Sequence, residues 1–114
     1  VNLNSFDVIQ DKVVRDGKVA VLVSPGFGAG WYTWNQAHPE LLFLPRVVEM
    51  VLNGTSYSEI ESYVNSVYGE HEIYTGGASD LKIEWIPQGA QFQVEEYDGS
   101  ESLRLKDSED WITA

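Results

Sequence analysis

Glycines stand at alternate positions 26, 28 and 30 of the stretch SPGFGAGWYTWN, residues 24–35, and Trp31, Tyr32 and Trp34 follow at once. Backbone N–H groups that no side chain covers can converge on an anion, and glycine lets the chain approach a phosphate closely. The spacing departs from the familiar cradles, because GxxxxGK[ST] is absent and the third glycine of GFGAG comes one residue early for GxGxxG. No lysine or arginine occurs between Lys18 and Arg46, so a phosphate held here would rely on backbone donors or on residues brought in from elsewhere. Two other uses fit the same residues. In a structural one, Gly26, Gly28 and Gly30 take backbone angles that other residues resist while Trp31, Tyr32 and Trp34 pin the loop to the core. In an adhesive one, the aromatic rings project outward and supply buried area to a partner at small entropic cost.

Other reactive residue types are poorly arranged. Ser24 precedes Pro25 in VSPGFG, which is not a GxSxG elbow, and the histidines are only His38 and His71. His38 with Glu40, and His71 between Glu70 and Glu72, match no familiar zinc spacing, and HExxH is missing. The chain has no cysteine, which removes disulfides, thiolate metal sites and cysteine nucleophiles together. Among the acids, Glu95 and Glu96 are neighbours on an extended segment and point to opposite faces, so they do not act as a pair. Glu96 becomes of interest if it faces inward beside Phe92 and Val94. Residues 97–100, Tyr-Asp-Gly-Ser, read as a tight turn with polar arms, or as an acidic loop that docks on a basic surface.

The elements that must position these residues follow from periodicity and turn signals. Asp16 and Gly17 between the apolar runs KVV and KVAVLVS predict a hairpin with strands at 12–15 and 18–24. The second strand is continuously apolar from Val19 to Val23, as expected of a central strand covered on both faces. ELLFL, 40–44, is ambiguous between a short strand and a helix entry. Pro45 opens a helix with Val47, Val48, Val51 and Leu52 on one stripe and Gly54 as its stop. Ser56 with Glu59 forms a capping-box pattern for a second helix carrying Ile60, Tyr63, Val64 and Val67, ended by Gly69. An antiparallel meander is expected beyond it, with strands at 71–74, 81–86, 91–97 and 102–105. The fold class is α+β: one domain over 1–114, an antiparallel sheet of about five or six strands with a two-helix layer on one face.

Composition bounds the function. At 114 residues, with 43% hydrophobic and 22% charged residues, the chain is long enough to bury a core without staples. Seven basic against eighteen acidic residues give a formal charge of −11, which repels nucleic acid and anionic lipid. The C-terminal half holds a dense set of acids, Glu95, Glu96, Asp98, Glu101, Asp107, Glu109 and Asp110, suited to solubility or to meeting a basic partner. No apolar run approaches the roughly twenty residues of a membrane span, and no charged-then-apolar leader is visible, so a soluble, cytoplasmic protein is expected.

The segments VLVSPGFGAGWYTWN and EWIPQGAQFQVEEYDGSES, together about a third of the chain, resemble segments of small uncharacterised proteins encoded by tailed bacteriophages. The resemblance implies an accessory protein working in a bacterial cytoplasm, with no activity or catalytic residue to carry over. The expectation is a non-enzymatic protein without cofactor or metal, which binds a host or phage protein or a second copy of itself. Its binding residues are Gly26, Phe27, Gly28, Gly30, Trp31, Tyr32, Trp34 and Asn35. The alternatives are a nucleotide-like ligand held by the same loop and an undetected hydrolase.

Overall fold

The computed structural model describes residues 7–106, so the acids Asp107, Glu109 and Asp110 lie outside the described residues. Strands β1 (Asp7–Ile9), β2 (Lys12–Arg15) and β3 (Lys18–Val23) lead through the glycine-aromatic loop and a 3₁₀ turn (Pro39–Leu42) into helices α1 (Pro45–Leu52) and α2 (Tyr57–Tyr68). A second 3₁₀ turn (Gly76–Asp80) precedes β4 (Lys82–Pro87), β5 (Phe92–Tyr97) and β6 (Ser100–Leu105). The class is α+β, with six antiparallel strands among the described residues, divided into a four-stranded sheet of order β1-β2-β3-β4 and a two-stranded β5-β6 hairpin.

Two-residue turns set the strand registers. Asp16 and Gly17 (φ 52° and 76°) join Arg15 to its partner Lys18, and Asp98 and Gly99 (φ 51° and 87°) join Tyr97 to Ser100. Left-handed angles at both central residues give a turn whose twist matches that of the strands it joins. Gln10 and Asp11 (φ 52° and 61°) make the same connection between β1 and β2 without a glycine. That is why β1 escaped the sequence reading.

The unbroken apolar run of β3 is explained by cover on both faces. Ala20 and Leu22 belong to one buried cluster with Trp31, Val47, Val48, Ile60 and Val64, beneath the helices. Val19, Val21 and Val23 belong to a second cluster, against which Phe92, Val94, Leu103 and Leu105 of the β5-β6 hairpin pack. The molecule is thus layered as helices, sheet and hairpin, with β3 in the interior of the sheet.

Helix signals act as their chemistry requires. Pro45 starts α1, and Gly54 (φ 70°) ends it with Thr55 N–H donating to the Met50 carbonyl at 2.9 Å and Gly54 N–H to that of Val51 at 3.1 Å. The Ser56 hydroxyl caps α2 by accepting from the Glu59 N–H.

Two sequence expectations are corrected. Residues 71–74 form no strand: His71 takes a left-handed φ of 68°, and the Asn35 side chain, not a neighbouring strand, is bonded to both the N–H and the carbonyl of Tyr74. Nor do the last strands form one meander. β4 runs antiparallel to β3, pairing Val23 with Lys82 through Lys18 with Pro87, and β5 pairs with β6 instead.

Candidate functional site

The glycine-aromatic loop leaves the end of β3 and gathers its backbone N–H groups round an anion, as a phosphate cradle does. The anion is the chain's own Glu101. Its Oε1 accepts from the Ser24 N–H at 2.9 Å, and its Oε2 accepts from the Trp31 N–H at 3.0 Å, the Thr33 N–H at 2.8 Å and the Thr33 hydroxyl at 2.7 Å. Glu101 as a whole is only 2% exposed. A buried carboxylate persists where enough donors replace the water it has lost, and these donors are also three amides that the loop needs satisfied. They have no capacity left for an external phosphate.

The rest of the loop is fastened as firmly. The Glu101 N–H donates to the Ser24 carbonyl at 2.8 Å, continuing the edge of β6, while the Gly28 N–H reaches the Asp98 carbonyl at 2.7 Å. The Ser100 hydroxyl donates to the Pro25 carbonyl, also at 2.7 Å. At the hairpin turn, a Cβ on Gly99 would lie 2.4 Å from the Ala29 nitrogen, so the close approach of the two loops needs glycine there. Of the three alternate glycines, Gly28 (φ 101°) alone uses a left-handed angle. Gly30 is buried for want of room: a Cβ on it would sit 2.4 Å from the Thr33 hydroxyl oxygen.

The eight loop residues expected to bind a partner divide into an inner and an outer set. Trp31 is fully buried and donates from Nε1 to the Leu41 carbonyl at 2.7 Å, which corrects the expectation that its indole projects outward. Asn35 is likewise buried, donating to the carbonyls of Trp31 and Tyr74 and accepting from the Tyr74 N–H. With Gly30, these residues hold the loop and cannot touch a partner while it is in place. Tyr32 and Gly26 are half-buried, whereas Gly28, Phe27 (73% exposed) and Trp34 (41% exposed) face solvent.

Each exposed ring of the loop is joined by a tyrosine from another element. Phe27 meets Tyr97 of the hairpin edge-to-face at 6.4 Å, and Trp34 lies 5.3 Å from Tyr74 with the planes inclined by 41°. Tyr97 and Tyr74 are 78% and 53% exposed. Trp34 and Tyr74 border a cleft of about 560 Å³ that is also lined by Tyr57 and Glu61 of α2 and by Thr75. Glu61 Oε2 accepts from the Thr75 hydroxyl at 2.6 Å and the Tyr57 hydroxyl at 3.0 Å, and these bonds, that of Thr75 first, hold its carboxyl below the ordinary value.

Nearby, His38 sits between Glu40 (Nδ1 to Oε2, 3.4 Å) and Glu72 (Nε2 to Oε1, 3.2 Å), and the Tyr68 hydroxyl donates to Glu40 at 2.8 Å. Burial raises the Glu40 carboxyl, but hydrogen bonds with its own backbone and with Tyr68, and the attraction of His38, outweigh it and leave the group lowered. Tyr68 is pushed up, by burial first and then by its bond to the Glu40 carboxylate. Among the described residues no group of acids and histidines is placed to hold a metal ion. Ser24, 1% exposed, spends its hydroxyl proton on the Ala29 carbonyl at 3.2 Å and has no histidine partner, so it is not an activated nucleophile. Glu96 is exposed and accepts from the Gly99 N–H at 2.6 Å.

No family model, curated protein or solved structure matches this chain. The site therefore rests on its own geometry. Glu101, expected only as one of the acids suited to solubility or to a basic partner, is buried instead: it stands at positions i, i+2 and i+4 with Leu103 and Leu105, on the face of β6 turned toward the sheet. The sequence reading passed over Tyr74 and Tyr57, for which no local pattern gives notice.

Proposed function

We propose that this chain is a non-enzymatic binding protein, an accessory protein of the phage type that its segments resemble, engaging a host or phage protein in the bacterial cytoplasm through Phe27 and Trp34. The observation that carries this reading is the pairing of exposed rings with a rigid mount. Phe27 and Trp34 are 73% and 41% exposed on a loop whose amides are bonded to Glu101 and Asp98. Aromatic side chains on a pre-ordered frame bury much area without the cost of ordering a mobile loop, which is how a few residues come to dominate an interface. Tyr97 and Tyr74 extend the two rings into larger apolar surface. The formal charge of −11 favours a basic partner over a second copy, since two like faces repel. That no helix among the described residues is long and apolar enough to cross a membrane is compatible with this setting.

Partner capture from host lysate by the wild-type chain and by the double variant Phe27→Ala, Trp34→Ala tests the reading. A protein retained by the first and lost by the second, with the thermal midpoints of the two baits close together, is the expected outcome. Equal capture by both, or none by either, refutes it.

A further inference from the structure

The cleft beside Trp34 has a composition that selects a kind of ligand. Its aromatic walls are the exposed rings of Trp34, Tyr74 and Tyr57, and its polar groups include the carboxylates of Glu61 and Glu72. Among the described residues no lysine or arginine lines it, and His71 is the one basic-capable group. Two other clefts, of about 520 and 500 Å³, lack this combination among the described residues: one carries Asp80 and Lys82, 4.0 Å apart, and the other, between Phe43 and Phe92, is lined by no described carboxylate.

Glu61 is the directional element. Both of its hydrogen bonds from Thr75 and Tyr57 fall on Oε2, so the carboxylate is held in place by neutral hydroxyls while Oε1 receives no hydrogen bond from the described residues. Nor does Glu61 have a basic partner among them. A carboxylate held by two hydroxyls with one open oxygen, in a cleft lined also by an indole and two phenols, is complementary to a cation that is both planar and a multiple donor. A guanidinium satisfies both demands: it stacks on an aromatic face and keeps in-plane N–H groups for the carboxylate, where an ammonium presents only a point charge. The net charge of −11 draws such a group in from a distance.

We infer that this cleft receives an arginine side chain of the partner protein, stacked on Trp34 and Tyr74 and bonded to Glu61 Oε1. The assignment rests on the protein-binding reading above and names what the partner presents at Trp34.

The test uses a Gly-Arg repeat peptide as probe, with a Gly-citrulline peptide of the same length as its neutral counterpart. Binding to the full chain is followed through the Trp34 indole N–H and the Thr75 amide by NMR. The arginine peptide should shift both signals saturably, the citrulline peptide should shift neither, and Glu61→Gln should weaken the arginine peptide at least tenfold while core amides keep their positions. A Trp34→Leu variant, which leaves the Glu101 bonds untouched, should weaken it to a similar degree. Equal binding of both peptides, or an affinity unchanged in Glu61→Gln and Trp34→Leu, overturns the assignment. Should the arginine peptide leave the cleft undisturbed while Phe27- and Trp34-dependent capture persists, the arginine assignment falls and the binding reading stands. Loss of that capture instead removes the reading beneath it.

Discussion

Replacing Glu101 separates two roles that its carboxylate combines, that of acceptor and that of charge. In Glu101→Gln the heavy-atom shape is kept, but one of the two terminal positions becomes an NH₂ group. The lower-energy orientation places the amide oxygen at the Oε2 position, where it still accepts from the Trp31 and Thr33 N–H groups and the Thr33 hydroxyl. The NH₂ then faces the Ser24 N–H, a buried donor left without an acceptor, at a cost of about 1–3 kcal/mol. The surviving bonds lose charge assistance while the site no longer has to desolvate a carboxylate, and these two terms oppose each other. The net expectation is about 1–3 kcal/mol, or roughly 4–8 °C per kcal/mol for a domain of about a hundred residues. Glu101→Leu keeps the volume and removes every acceptor, leaving three N–H groups unsatisfied at about 1–3 kcal/mol each, enough to consume much of the roughly 5–15 kcal/mol that holds a domain together.

Urea unfolding of the two variants gives the ranking, and amide hydrogen exchange at Ser24, Trp31 and Thr33 gives the location. Exchange at all three should speed up in Glu101→Leu, whereas in Glu101→Gln the increase should concentrate at Ser24. A Glu101→Leu protein as stable as the wild type, with those amides still protected, would refute the view that the loop is built round this carboxylate.

The two tryptophans of the loop should respond oppositely to truncation. Trp31→Ala opens a cavity in the core and orphans the Leu41 carbonyl, costing about 3–5 kcal/mol, whereas Trp34→Ala should stay within about 1 kcal/mol of wild type in the same urea titration. Gly99→Ala and Gly17→Ala both place a side chain at a left-handed angle, φ 87° and 76°, for about 1–2 kcal/mol of strain each. Gly99→Ala should lose clearly more, because its Cβ also meets the Ala29 backbone while nothing lies within 4 Å of one on Gly17, and paired chemical denaturation measures the difference. Below the ordinary carboxylate value of 4.5, Glu61 should remain ionised further into acid than an exposed glutamate, since its folded value is depressed by Thr75 and Tyr57. The order that it gives the cleft is present above 4.5 and is lost as pH falls through that lower folded value. Carboxyl-carbon NMR follows the titration, which Thr75→Val should move up toward 4.5.

Local chemistry was legible wherever a residue acts on its own neighbours. The Asp16-Gly17 turn, Pro45 at the start of α1, the Ser56 cap and Gly54 and Gly69 at the helix ends all depend on angles and donors within a few residues of themselves. The continuous apolar run of β3 was sufficient to declare two covered faces, because an exposed face there would put valine or leucine in water. It did not tell which element would cover each face.

What lay beyond the sequence is partner choice at long range. Whether β4 joins β3 or β5, and whether residues 71–74 pair as a strand or give their backbone to Asn35, is decided by competition among groups 39 to some 70 positions apart. Trp31 and Trp34 are the same residue type in the same loop, yet one indole is fully buried, with its Nε1 on the Leu41 carbonyl and its backbone N–H on Glu101 70 positions away, while the other is 41% exposed. A carboxylate in a chain of eighteen acids carries no local mark of burial; it is buried where the fold gathers enough donors to replace its water.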